Sequence, residues 1–172
     1  IFVEEGRMAA EWLAKKLGGK GNIIELQGTP GAAPAIDRKA GFAEVLTKHP
    51  DMKIIRTQSG EFAIAKGKEV MQAFLRSTKG AGETIHAVYA HNDDMALGAI
   101  QAIEEEGLKP GTDIVIVSID GVRGAFEAMA AGKLNCVVEC TPLLGPMAFD
   151  AVESILAGKE LPKHTIILDA VV

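Results

Sequence analysis

Three polar residues of complementary chemistry stand at or just after short apolar runs. Asn92 and Asp120 end such runs, and Arg38 lies one turn into the helix that is predicted to follow another. Arg38 carries a planar guanidinium that can donate to two oxygens at once, and Asn92 carries a carboxamide that both donates and accepts. Asp120 carries a carboxylate, which can accept hydrogen bonds from two hydroxyl groups. A guanidinium, an amide and a carboxylate meeting at one place would bind the hydroxyl groups of a neutral polyol.

Each of these residues also has a simpler structural interpretation. Asn92 could cap the helix that follows it; if Asn92 faces a cleft instead, Asp93 or Asp94 would be the cap. Asp120 could serve a turn, although an acid after a mainly apolar run should be buried and must then find partners. Arg38 could be a solvated helix charge, or it could bind ligand oxygens or pair with Asp120.

Two further candidates follow other strands of the predicted fold. Phe62 comes just after an apolar run, where an aromatic ring either joins the core or forms a platform for the apolar face of a sugar. Glu139, Cys140 and Thr141 close another run, and the alternation of side chains along a strand allows only some of them to face a cleft. The sequence does not decide which.

The elements that must position these residues are strands alternating with helices. Five apolar runs end in polar residues just before helix-like stretches, at residues 23–27, 54–58, 87–92, 114–120 and 137–141. This alternation predicts a three-layer, doubly wound parallel α/β sheet with helices on both faces. A terminal run from His164 predicts a sixth strand. Ligands of such sheets bind outside the carboxyl ends of the strands, where the candidates stand.

Composition and motifs exclude several classes of function. The formal charge of −5 and the lack of a dense Lys/Arg run argue against a nucleic-acid surface. No apolar stretch reaches the roughly 20 residues of a membrane span.

We find no nucleophile elbow, phosphate loop or glycine fingerprint, so neither an enzyme nor a cofactor is expected. His91 beside Asp93 and Asp94 is a poor metal set, because contiguous residues rarely converge on one ion. Cys136 and Cys140 are predicted to be free thiols, since two residues four positions apart on a strand are too distant for a disulfide.

Both ends of the chain are unusual for a complete protein. An amphipathic helix, predicted over residues 4–17, has no strand before it, and the chain stops inside the apolar run 165–172. These features predict a piece of a longer protein. Its exposed apolar ends could drive a fragment to associate with a second copy.

Several segments together resemble a known family. Residues 27–32, 35–42, 58–62, 89–100, 107–111 and 117–121 are similar to the periplasmic sugar-binding proteins of ABC importers, of the ribose and galactose type. Within that family the resemblance is greatest to the members that bind galactofuranose. It extends over essentially all of the chain.

The resemblance implies a two-lobe protein that clamps a monosaccharide and delivers it to a membrane permease without chemical change. Residues 1–172 would be the second lobe, with the first lobe and a C-terminal tail absent, and the protein would work in the periplasm. The family's sugar-contacting arginine, asparagine and aspartate match Arg38, Asn92 and Asp120. Phe62 lies where relatives carry an aromatic or neighbouring contact, and Cys140 stands where ribose-binding relatives place a glutamine.

A second class of protein shares this fold. The effector-binding core of a LacI-type transcription repressor is the alternative, and it would require a DNA-binding helix pair ahead of the chain. Repressors commonly carry a Val-Pro-Glu-Asp stretch before the fourth strand, whereas residues 109–113 of this chain read Lys-Pro-Gly-Thr-Asp.

Overall fold

The computed structural model describes residues 2–162 and 170–172. Eleven helices and strands follow one another in these residues. In chain order they are α1 (Phe2–Leu17), β1 (Lys20–Gln27), α2 (Ala33–Leu46), β2 (Asp51–Ser59), α3 (Ile64–Ala81), β3 (Ala87–Ala90), α4 (Asp93–Glu105), β4 (Val115–Asp120), α5 (Arg123–Ala130), β5 (Cys136–Glu139) and α6 (Gly145–Leu156). The predicted alternation of five strands and helices is confirmed.

The five strands form one parallel sheet in the order β2-β1-β3-β4-β5. From β1 the chain moves outward to β2, and it then returns across β1 to β3 on the other side. The order therefore reverses between β1 and β3, and the loops leaving these two strands diverge. A crevice opens at such a switch point, outside the carboxyl ends of the strands.

Helices cover both faces of the sheet, as predicted. Neighbouring strand residues point to opposite faces, so Ile23 packs beneath α1 and α2 while Ile24 packs beneath α3 and α4. Tyr89 lies on the α1/α2 face and stacks on Phe42 of α2, with ring centroids 3.9 Å apart. These two cores hold the ends of the helices against the carboxyl edge of the sheet.

Two glycines let α1 and α2 approach at backbone distance. A Cβ atom added to Gly41 would lie 1.9 Å from the carbonyl oxygen of Val3, and one added to Gly6 would lie 2.2 Å from the carbonyl oxygen of Arg38. Because neither position has a side chain, α1 packs directly on the turn of α2 that carries Arg38. This close packing also brings Glu5 of α1 to the same place.

The last part of the chain differs from the rest. Most of the sixth strand predicted from His164, residues 164–169, lies outside the described residues. Val171 forms an antiparallel bridge with Val138 at the outer edge of β5. Helix α6 has no buried residue, and its exposed apolar side chains are Met147, Phe149, Val152, Ile155 and Leu156. Among the described helices, none combines the length and hydropathy required of a bilayer-spanning segment.

Candidate functional site

The carboxyl ends of β1, β3 and β4 bring the three principal candidates together around one guanidinium. Nη2 of Arg38 donates to Oδ1 of Asp120 at 3.0 Å, and Nη1 donates to the backbone oxygen of His91 at 2.6 Å. His91 precedes Asn92, so Arg38 links the end of β3 to the end of β4. Of the alternatives for Arg38, the structure therefore contains the pair with Asp120 and excludes a solvated charge.

A third partner fixes the guanidinium from behind. Nε of Arg38 donates to Oε2 of Glu5 at 2.7 Å, and both side chains are almost fully buried, 4% and 2% exposed. The Arg38 carbonyl oxygen accepts a hydrogen bond from the hydroxyl of Tyr89, and the guanidinium lies 5.5 Å from the ring centre of Phe2. Three of the five N–H groups of Arg38 thus have acceptors among the described residues, and one N–H on each Nη atom has none there.

Asp120 is the most exposed member of this cluster. Its side chain is 33% exposed, and Oδ2 has no hydrogen-bond partner in the described part of the chain. Its backbone has a φ of 136°, a strained conformation for a residue other than glycine. Burial raises the pKa of Asp120 to about 6, although Arg38 acts to lower it and the neighbouring Asp93 and Glu5 raise it further.

Asn92 has the first of the two roles considered from the sequence, which is the helix cap. Its Oδ1 accepts a hydrogen bond from the backbone N–H of Met95 at 3.0 Å, which caps α4. Its Nδ2 donates to the carbonyl oxygen of Phe62 at 3.3 Å. Asn92 itself therefore provides the cap, and the alternative in which Asp93 or Asp94 caps α4 does not apply.

Asp93 instead connects β4 to α5. Its carboxylate accepts hydrogen bonds from the hydroxyl of Ser118 and from the backbone N–H groups of Gly121 and Val122, the latter two at 2.7 and 2.8 Å. Burial raises the pKa of Asp93, and these three hydrogen bonds act to lower it. Asp93 thereby fixes the loop that follows Asp120.

Phe62 lies at the same edge in an unusual conformation. Glu61 and Phe62 both have positive φ, 57° and 60°, which is strained for residues with side chains. The Phe62 ring covers Gly28 at the end of β1, where an added Cβ would lie only 1.9 Å from Cζ. The ring also packs partly against the core formed by α3 and α4. Both interpretations of Phe62 therefore remain compatible with its position.

A second network of buried hydrogen bonds, centred on His91, lies next to the carboxyl edge of the sheet. Nδ1 of His91 accepts from the Gly28 N–H at 3.4 Å, so Nε2 carries the proton and donates to Oε1 of Glu25 at 3.1 Å. Burial lowers the pKa of His91 and opposes the effect of Glu25. Burial also acts to raise the pKa of Glu25, but hydrogen bonds from His91, Thr57 and Gln27 lower it overall. The structure thus gives His91 a role in orienting the backbone beside Asn92.

Cys140 is half-buried and packs against the core of the α1/α2 face. Burial raises the pKa of its thiol to about 11, and the charge of the Glu5 carboxylate raises it further. Its backbone N–H donates to the Asp120 carbonyl oxygen at 2.9 Å. Glu139 and Thr141 on either side are half-buried. Both cysteines are free, as predicted.

Sequence reasoning missed two charged residues of this edge, Glu5 and Glu25. Glu5 lies on the buried stripe of α1 with Ala9 and Leu13, four and eight residues further on. Glu25 interrupts the apolar β1 strand and is 1% exposed. An acid on a buried stripe must find a partner, and that was the available signal. Within the described residues, no group of three or more metal-ligating side chains is close enough to hold an ion.

A hollow of about 410 Å³ lies at the opposite edge of the sheet. It is formed by the C-terminal ends of α3 and α4 and by the amino ends of β3 and β4, with Leu75, Ile85 and Leu108 in its wall. None of the strand-end candidates lines it.

In a doubly wound sheet, a polar cluster at the switch point lies where such folds bind their ligands. The family comparison agrees: residues 2–160 match the model of the periplasmic binding protein domain. The chain belongs to the periplasmic binding protein family.

Individual members of that family are similar in sequence to this chain. The chain is 52% identical to the galactofuranose-binding protein YtfQ of Escherichia coli K12 over 160 residues, which are 92% of this chain and 50% of YtfQ. It is 36% identical over 162 residues to the ribose import binding protein RbsB of Bacillus subtilis, covering 94% of this chain and 50% of that protein. The chain spans about half the length of these curated relatives.

Solved structures agree with the sequence relatives. The periplasmic binding protein of the arabinose ABC transporter from Shewanella sp. ANA-3, bound to α- and β-L-arabinofuranose, matches with a TM-score of 0.95 and 52% identity over 99% of this chain and 56% of that one. A galactofuranose-binding protein matches with a TM-score of 0.93 and 48% identity, over 99% and 58% of the two chains. These relatives are binding proteins, and they give no support to the LacI-type alternative.

Proposed function

We propose that this chain forms one lobe of a sugar-binding protein that serves an ABC importer and binds a monosaccharide in its furanose form. The observation that carries the proposal is the Arg38 guanidinium, which joins Asp120 to the end of β3 and keeps one N–H on each Nη atom for a ligand. With the open Oδ2 of Asp120, the edge offers adjacent donors and an acceptor, as vicinal hydroxyl groups require. The relatives that bind galactofuranose and arabinofuranose support the choice of ring form.

The side chains have distinct roles in this proposal. Arg38 and Asp120 form charge-assisted hydrogen bonds, each contributing on the order of 1.5–3 kcal/mol. Asn92 orients the sugar through its amide, Phe62 packs on the apolar face of the ring, and Cys140 borders the fifth strand. No reaction follows binding. We propose that the complete protein works in the periplasm and hands the sugar to a membrane permease, with no nucleic-acid partner and no cofactor.

Calorimetric titration of the full-length protein with L-arabinose, D-galactose and D-ribose tests this function. We expect saturable binding of at least one furanose-forming sugar, and much weaker binding by the 172-residue chain alone because half of the contacts are missing. The absence of binding to pentoses and hexoses by the full-length protein would refute the proposal. Equal affinity for the short chain would contradict the two-lobe arrangement.

The exposed apolar side chains of α6 are an argument for another lobe that covers this helix. Phe149 and Leu156 are 74% and 82% exposed, which is unusual for large apolar residues. We propose that residues 1–172 form the second lobe and that the remaining half of the protein's length covers α6. The 172-residue chain should therefore self-associate in light scattering, and replacing Phe149 and Leu156 with serine should make it monomeric. A wild-type chain that stays monomeric at high concentration would contradict this.

Replacing Asp120 with asparagine is expected to weaken sugar binding without lowering the free energy of unfolding at pH 8. The native pKa of Asp120, about 6, exceeds its ordinary value of 3.8, so between these values the folded state binds the proton and the unfolded chain does not. Wild-type stability consequently falls as the pH rises through this window, and the penalty persists above it. Asn carries no charge and still accepts from Arg38. We expect sugar affinity to fall roughly 10- to 100-fold.

Urea unfolding of both proteins at several pH values tests the predicted pH dependence of stability. The variant should equal or exceed the wild type at pH 8, and its advantage should shrink toward pH 5. Asp51→Asn, an exposed acid at the other edge of the sheet, serves as the matched control. A variant less stable than the wild type at pH 8 would contradict the assigned environment of Asp120.

A further inference from the structure

Glu5 is the buried charge on which the geometry of Arg38 depends. Its carboxylate lies between two elements of the site: it accepts from Nε of Arg38 at 2.7 Å and borders the thiol of Cys140. No polar side chain of the described residues other than Glu5 contacts Nε of Arg38. The Nη edge is thereby directed toward His91 and Asp120.

The close packing of α1 on α2 places Glu5 beside Arg38. Gly6 and Gly41 let the two backbones approach each other on either side of Glu5, where an added Cβ would clash. The guanidinium meets Glu5 on one side and Phe2 at 5.5 Å. Arg38 has four rotatable side-chain bonds, and an acceptor at Nε fixes the plane of its fork.

We propose that Glu5 is a positioning residue of the sugar site, whose carboxylate orients Arg38 and whose charge weakens the hold of Arg38 on Asp120. This inference rests on the proposed function. The local charges support it, because one guanidinium meets two carboxylates, so the attraction of Arg38 is divided between them. Without the charge of Glu5, Asp120 would ionise more readily.

The charged and titratable groups around Asp120 come from several elements. Glu5 projects from α1, Arg38 from α2 and Asp93 from α4, while Glu139 and Cys140 lie at the end of β5. Arg123 at the start of α5 pairs with Glu127 and is 92% exposed. Arg38 is thus the cation that faces Asp120 directly, and Glu5 is the acid that shares it.

Two substitutions separate orientation from charge. Glu5→Gln keeps an acceptor of the same shape at Nε but removes the charge, whereas Glu5→Leu removes both. Glu4→Gln is the control, because Glu4 is the neighbouring exposed acid of α1 and pairs with Arg7 at the surface. The full-length variants are titrated with L-arabinose from pH 4.5 to 8, and the Nε–H signal of Arg38 is followed by ¹⁵N NMR without sugar.

We expect Glu5→Leu to lose about 20-fold or more in affinity at pH 8, and Glu5→Gln to stay within about fivefold of the wild type. The acid limb of the affinity profile should move to lower pH in Glu5→Gln. The Nε–H signal should persist in Glu5→Gln, and it should broaden or exchange rapidly in Glu5→Leu. Glu4→Gln should match the wild type throughout.

Wild-type affinity in Glu5→Leu, or an unchanged acid limb together with an unchanged Nε–H signal, would overturn the inference. If Glu5→Leu does not fold, the pH profile and the Nε–H signal of Glu5→Gln still decide. A wild-type protein that binds no sugar would instead refute the proposed function. In that case the NMR signal and the pKa of Asp120, measured in Glu5→Gln, still test the role of Glu5.

Discussion

Replacing Arg38 with methionine is expected to abolish sugar binding and to lower the free energy of unfolding by about 3–5 kcal/mol. The size of the effect follows from burial. Methionine has a similar length but no charge, so Glu5 would remain 2% exposed with no cation beside it. The carbonyl oxygen of His91 would also lose its donor. Urea unfolding monitored by circular dichroism measures the stability change, and calorimetry measures binding.

Arg7→Met is the matched control. Arg7 also links α1 to α2, through Glu44, but its side chain is 35% exposed and its partners lie at the surface. Exposed ion pairs of this kind contribute at most about 1 kcal/mol, so this variant should unfold nearly as the wild type does and should bind sugar normally. Equal destabilisation by Arg7→Met and Arg38→Met would show that the buried cluster around Arg38 contributes no more to the free energy of unfolding than an exposed ion pair does.

Gly28→Ala is expected to weaken sugar binding roughly ten- to thirty-fold with little loss of stability. A Cβ at this position would lie 1.9 Å from Cζ of Phe62, so the ring must leave the end of β1. The displaced atoms belong to the tip of a side chain in a strained loop, which can move more easily than backbone. Gly28 itself does not have a positive φ, so alanine introduces no backbone strain there. Calorimetry and thermal unfolding of the same samples separate the two effects.

A double-mutant cycle with Phe62→Leu tests the cause. If the ring is the sugar platform, Phe62→Leu should match Gly28→Ala, and the double variant should be no weaker than either. Gly80→Ala is the control, since an added Cβ on this α3 residue meets nothing within 4 Å. Full affinity in Gly28→Ala would mean that Phe62 is a core residue and does not contact the sugar.

The fold could be predicted because its signals are local. Each strand is a short apolar run, and each helix after it has a stripe of apolar residues, so the alternation indicates a parallel sheet without any knowledge of contacts. Strand order is different, because it depends on which apolar faces meet. A doubly wound sheet implies a reversal of strand order, but its position between β1 and β3 was not predicted, although it decides that Arg38 and Asn92 flank the same crevice.

The candidate site was predicted only in part, for a related reason. Asp120 was singled out because it ends an apolar run, and Arg38 because it lies one turn into the helix after another run. Their pairing was one of the alternatives. Glu5 was missed because its partner lies 33 residues away on another helix. The sequence left open whether Asn92 caps α4. The structure shows that its amide oxygen does so, while its amide nitrogen donates to the Phe62 carbonyl oxygen.

A crystal structure of the full-length protein with a bound furanose sugar tests the central claim most directly. Ring or hydroxyl oxygens should lie within hydrogen-bond distance, about 3.2 Å or less, of Arg38, Asn92 and Asp120. The ring of Phe62 should face the sugar across the ends of β1 and β2. A sugar bound anywhere else, with these three side chains contacting protein alone, would contradict the account.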